Sequence, residues 1–111
     1  MEYAGTIVLY DPNKAEVLEN IDSYIDEIDK LYIIDNSLND NSSLFVNYDK
    51  KIEYVWNRDN LGIAKALNIA AGKAIKDGFS WLLTMDQDSK FEKGTLRILE
   101  DYINDNFNNN S

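Results

Sequence analysis

The chain has no cysteine and no histidine, and only 11 lysines and arginines stand against 20 aspartates and glutamates, a formal net charge of −9 over 111 residues. The missing Cys and His exclude a disulfide framework, a thiolate zinc site, a Cys–His nucleophile and a Ser-His-Asp triad. Any chemistry rests on carboxylates, lysines, tyrosines, amides or a hard metal ion. The shortage of positive charge argues against nucleic acid as a partner, because its phosphate backbone is held by clustered cations. A small phosphate-bearing ligand would also need local cations or a metal to overcome the acidic field. No apolar run approaches the roughly 20 residues of a membrane-spanning helix, and the N-terminus lacks a basic-then-apolar signal, so a cytoplasmic location is expected. There is no internal repeat and no Pro/Gly/Ser-rich linker, so one domain is expected. With no GxGxxG and no Walker pattern, classical dinucleotide or P-loop binding lacks support.

What is present alternates between strand-like and helix-like segments. Thr6 to Tyr10, TIVLY, is a continuously apolar, β-branched run that stops at the turn signal Asp11-Pro12. Asn13 is placed to cap a helix with Glu16 at the capping-box position. Val17, Leu18, Ile21, Tyr24, Ile25 and Ile28 recur at helical spacing, leaving Glu19, Asp22, Asp26 and Asp29 for solvent. Leu31 to Ile34 reads as a second strand running into Asp35-Asn36-Ser37. A helical turn over Leu44 to Tyr48, a third strand over Ile52 to Trp56 and a polar loop over Asn57 to Asn60 follow. An alanine-rich helix spans Leu61 to Lys76, with Ile63, Leu67, Ala70, Ala71 and Ala74 as its apolar stripe and Gly78 ending it. Phe79 to Met85 is a fourth strand and Gly94 to Phe107 a last helix, so the domain runs over residues 1–107 with a polar tail at 108–111.

Strands that are apolar along their whole length and alternate with helices predict an α/β fold, a parallel sheet covered on both faces. Ligands of such sheets bind beyond the carboxyl ends of the strands. Asp86 and Asp88, two residues apart after the fourth strand, point to one side if strand geometry persists, with Gln87 on the other. Two carboxylates held together repel, and Mg²⁺ or Mn²⁺ relieves that repulsion while leaving positions for water and diphosphate oxygens. The competing reading is an exposed turn that caps a helix. Asp35 can accept from the N–H edge of a nucleobase or simply form a turn, and Tyr10 can stack on a base or close the core. The segment Asn60 to Asn68 opens a helix whose N-terminus attracts phosphate, Gly62 permits close backbone approach, and Arg58 and Lys65 are the nearest cations. Asn68, a poor helix former in a helix interior, has either a specific partner or a place facing solvent.

Taken in order, TIVLYDPN, LYIIDNS, NRDNLGIAKALNIA and WLLTMDQDS resemble the N-terminal half of family 2 glycosyltransferases with the GT-A fold. The wording DNLGIAKALN and LTMDQDS is most similar to bacterial rhamnosyltransferases of surface-polysaccharide synthesis. The resemblance implies a three-layer α/β/α Rossmann-like fold with sheet order 3-2-1-4. It implies that Tyr10, Asp11 and Asp35 hold nucleobase and ribose and that Asn60, Gly62 and Lys65 line the nucleotide site. Asp86 and Asp88 would be the metal-binding D-x-D pair, with Asp88 the main contact and Asp86 also near the ribose. The donor would be a dTDP- or UDP-linked sugar and the acceptor a saccharide, with peripheral membrane association of a full-length enzyme. Relatives run to more than twice this length and carry their catalytic base in the second half. The base is therefore expected beyond Ser111, and these residues alone are expected to bind donor without transferring it. Two other readings stay open: a non-catalytic binding or interaction module of the same fold, and a receiver-like phosphoacceptor domain.

Overall fold

Side-chain alternation along β1, Tyr3–Leu9, divides the interior into two layers. Ile7 and Leu9 face one side, where they meet Leu31 and Ile33, the helix residues Val17 and Ile21, and Phe45. Ala4 and Val8 face the other, against Tyr32, Ile34 and the alanines 66, 70 and 74. That two-sided apolarity is what a central parallel strand requires, since helices cover both of its faces. The computed structural model describes residues 2–88, so the expected helix over Gly94–Phe107 and the tail at 108–111 lie outside them.

The remaining elements are α1 (Lys14–Asp22), β2 (Lys30–Asp35), β3 (Ile52–Trp56), α2 (Ile63–Lys76) and β4 (Trp81–Met85). Short 3-10 segments cover Ile25–Glu27 and Ser42–Lys51. All pairings are parallel and the sheet order is β3-β2-β1-β4, as expected from the resemblance. With α1 on one face and α2 on the other, this is the three-layer GT-A arrangement. The receiver-like reading is thereby excluded, because a flavodoxin-like order of 2-1-3-4-5 sets β3 beside β1, whereas here β3 pairs with β2. Among the described residues no helix is long and apolar enough to cross a membrane.

Three local expectations change. The first helix ends at Asp22 rather than running on to Ile28. The Ser23 hydroxyl donates to the Asn20 carbonyl at 2.5 Å, a side-chain competitor for the helical ladder, yet Ile25 and Ile28 stay buried. The turn expected over Leu44 to Tyr48 is part of the longer segment Ser42–Lys51. On α2 the buried stripe is Ala66, Ala70 and Ala74, whereas Ile63 is 68% exposed. Only methyl-sized side chains let the helix lie close on the sheet, and the larger Ile63 and Leu67 are displaced to its flank. β1 makes a similar allowance on the α1 side. A Cβ on Gly5 would come within 2.6 Å of the Met85 terminal methyl, so glycine there makes room for the last residue of β4.

Candidate functional site

The carboxyl ends of β1 and β4 and the N-terminus of α2 enclose a cleft of about 680 Å³. Its floor is apolar, with Val8, Leu67 and Met85, and its rim carries Tyr10, Asn60, Gly62, Asp86 and Asp88. Five residues singled out in the sequence therefore meet on one surface. Asp86 and Asp88 are both exposed, as is Tyr10 at 51%. Among the described residues, no three His, Cys, Asp or Glu side chains are grouped as a cation site. The pair offers a hard cation an incomplete oxygen set, as suits a metal that completes its shell with water and ligand phosphate.

The N-terminus of α2 is shaped by the loop before it. Gly62 occupies the N-cap with φ 82°, a conformation L side chains rarely adopt, and it supplies no capping side chain. Its amide donates to Asn60 Oδ1 at 3.0 Å, and its carbonyl accepts from Asn36 Nδ2 at 3.2 Å. Asn36 in turn accepts from Asn57 Nδ2 at 2.8 Å and is 2% exposed. A chain of three amides thus sets where the helix begins. Asn36 lines the cleft.

Asp35, Asp11 and Lys65 do not line it. The period of two along β2 sends Asp35 to the α1 face and leaves its neighbour Asn36 on the cleft side. Asp35 is fully buried, and its carboxylate accepts from the Ser37 amide at 2.9 Å, Asn41 Nδ2 at 2.9 Å and the Tyr54 hydroxyl at 2.6 Å. It braces the loop after β2 and has no oxygen left facing the cleft. Burial, and then the bond to Asp35, pushes the Tyr54 hydroxyl well above its usual range. Asp11, at φ 41°, donates its amide to Ser37 Oγ at 2.7 Å. Lys65 is exposed on α2, and Arg58 lies 5.2 Å over the Trp56 ring. Among the described residues no lysine or arginine lines the cleft.

The residue-level reading did not anticipate the flank of α2 or the role of Gln87. Ile63 and Leu67, assigned to the core, line the cleft. Gln87 ties the loop after β4 to the end of β1, and Asn20, buried on α1, donates to its carbonyl at 3.3 Å. A signal for Asn20 was available in the sequence. The propensity argument applied to Asn68 holds equally for Asn20, and it is Asn68 that proves exposed.

The model of the family described as "Glycosyl transferase family 2" matches residues 7–110. The chain belongs to glycosyl transferase family 2. Among solved structures, S. aureus TarS shares the fold with a TM-score of 0.76 at 20% identity, over 95% of this chain and 20% of that one. A TarS structure of residues 1–349 gives 0.75 at 20% identity, over 95% of this chain and 33% of that one. The chain thus spans a fifth to a third of the TarS chains it matches. No curated protein matches its sequence. The match takes in the carboxyl end of β1 and the whole of β4, and hence both sides of the cleft.

Proposed function

We propose that this chain supplies the donor-binding part of a glycosyltransferase that uses a nucleoside-diphosphate sugar, dTDP- or UDP-linked, with a saccharide as acceptor. The observation that carries the reading is the pair Asp86 and Asp88, exposed on one cleft opposite Tyr10 and beside the start of α2. Tyr10 presents a ring on which a base stacks. Asn60 and Gly62 bring polar atoms and backbone close to a diphosphate, with the uncapped start of α2 favouring negative charge. Asp86 and Asp88 would hold Mg²⁺ or Mn²⁺, the hard cations their oxygens fit. When bound, that ion neutralises the diphosphate and so eases its departure from the sugar. The apolar floor keeps water from the underside of the bound group. Rhamnosyl transfer into a surface polysaccharide is the specific version favoured by the DNLGIAKALN and LTMDQDS wording.

Because no lysine or arginine among the described residues lines the cleft, diphosphate binding should depend on the metal. Calorimetry with uridine and thymidine diphosphates, with manganese and with chelator, reads this directly. Chelation is expected to weaken binding at least about tenfold, corresponding to one lost charge-assisted contact. Equal affinity in both conditions would refute the metal role.

A further inference from the structure

Gln87 sits between the two carboxylates and is held from three directions. Its Oε1 accepts from the Tyr10 amide at 2.9 Å, its Nε2 donates to the Tyr10 carbonyl at 3.4 Å, and its own carbonyl accepts from Asn20. The side-chain amide thus pairs with both polar groups of Tyr10's backbone, across 77 positions of sequence. Asn20 is 5% exposed, so the third contact anchors the turn to the core rather than to another loop. Gln87 and Asp88 also form the partition between the cleft and a smaller hollow of about 230 Å³ beside Asn13 and Glu16. The two side-chain bonds tie the turn after β4 to the end of β1, while the Asn20 bond holds the turn's own main chain and does not depend on the Gln87 side chain.

We infer that Gln87 is a positioning residue that sets the span between the Tyr10 ring and the Asp86/Asp88 pair. The inference rests on the donor-binding reading above, in which that span runs from nucleobase to diphosphate. A ligand reaching both ends meets a bracket of fixed width, and the ordering cost is met when the protein folds rather than when the ligand binds. A ligand that touches one end only gains nothing from the bracket. That asymmetry distinguishes positioning from simple support of the loop.

The test replaces Gln87 by methionine, which keeps length and volume and removes both hydrogen bonds, with Gln87→Ala as the companion variant. Affinities are measured for manganese with uridine diphosphate, which reaches both ends, and for manganese with pyrophosphate, which reaches only the carboxylates. Hydrogen exchange at the Tyr10 amide reports the bracket itself. Both variants should expose that amide and lose about tenfold in uridine diphosphate affinity, the worth of two modest hydrogen bonds, with pyrophosphate affinity unchanged. Unchanged uridine diphosphate affinity, or equal losses for both ligands, would overturn the inference and leave the donor-binding reading standing. Failure of the unmodified chain to bind manganese with uridine diphosphate would instead remove that reading and the inference with it.

Discussion

Asp35 ends β2 and Asp86 follows β4, the two strands that flank β1, so both carboxylates stand at the same edge of the sheet. One is fully buried and the other exposed. Asp35 has three donors from within the chain, and its negative charge is spent on holding a loop. Asp86 shares its cleft with a second carboxylate, that of Asp88. Position at a strand end is therefore not what makes an acidic residue available to a ligand. Which face of the sheet it falls on, and whether the structure around it buries it there, decides the matter.

Substitutions at the two places should act in opposite directions. Asp35→Ala leaves the Tyr54 hydroxyl and the Ser37 N–H without this acceptor and the Asn41 amide with only the Asn39 carbonyl, and should cost about 3 kcal/mol of stability in urea unfolding. A cost below about 1 kcal/mol would show that the loop finds other acceptors. Asp88→Asn removes repulsion from the pair. The metal-free protein should melt at the same temperature or gain up to about 1 kcal/mol, while the stabilisation given by manganese plus nucleotide falls sharply. If variant and parent gain equally from manganese plus nucleotide, Asp88 is no metal contact.

The smallest effect expected concerns a surface version of the Tyr54–Asp35 bond. The Tyr48 hydroxyl donates to Asp22 at 2.6 Å, and its pKa is pushed up from 10.0 to about 12, by burial first and then by that hydrogen bond. A raised pKa stabilises the fold below the unfolded value and loses that contribution as pH rises through the folded one. The Tyr48 contribution is therefore complete below pH 10 and lost between pH 10 and about 12. Tyr48→Phe should flatten the alkaline fall in melting temperature across that window. An unchanged profile would show that the exposed pair contributes nothing and only the buried one matters.

The sheet was legible because its strands are apolar throughout, and the capping of α1 was legible because a side chain makes it. Asn13 Oδ1 accepts the Glu16 amide at 3.0 Å, as the spacing predicts. What the residues alone did not reveal depended on contacts far apart in the chain. Nothing near Asp35 announces Tyr54, and nothing near Gln87 announces Tyr10. The period of 3.6 residues identified α2, but the choice between Ala66 and Ile63 for the buried stripe is made by the closeness of the sheet beneath it, which a helical pattern does not encode. The cleft was located by the rule for parallel sheets, and its precise membership by the register of single residues.

The pairing of β1 with β4 joins Tyr3 to Trp81, while every strand between them in sequence lies on the other side of β1. Contacts of such separation are slow to form, because a long loop must close before they stabilise anything. The cleft has one wall on β1 and the other on β4, so it does not exist until that closure has happened. During synthesis, β1, β2 and β3 all leave the ribosome ahead of the strand that completes the cleft. If the cleft holds the proposed nucleotide, its binding would report the closure of β4 on β1, and a nucleotide present during refolding would trap the closed sheet without speeding the formation of its first three strands.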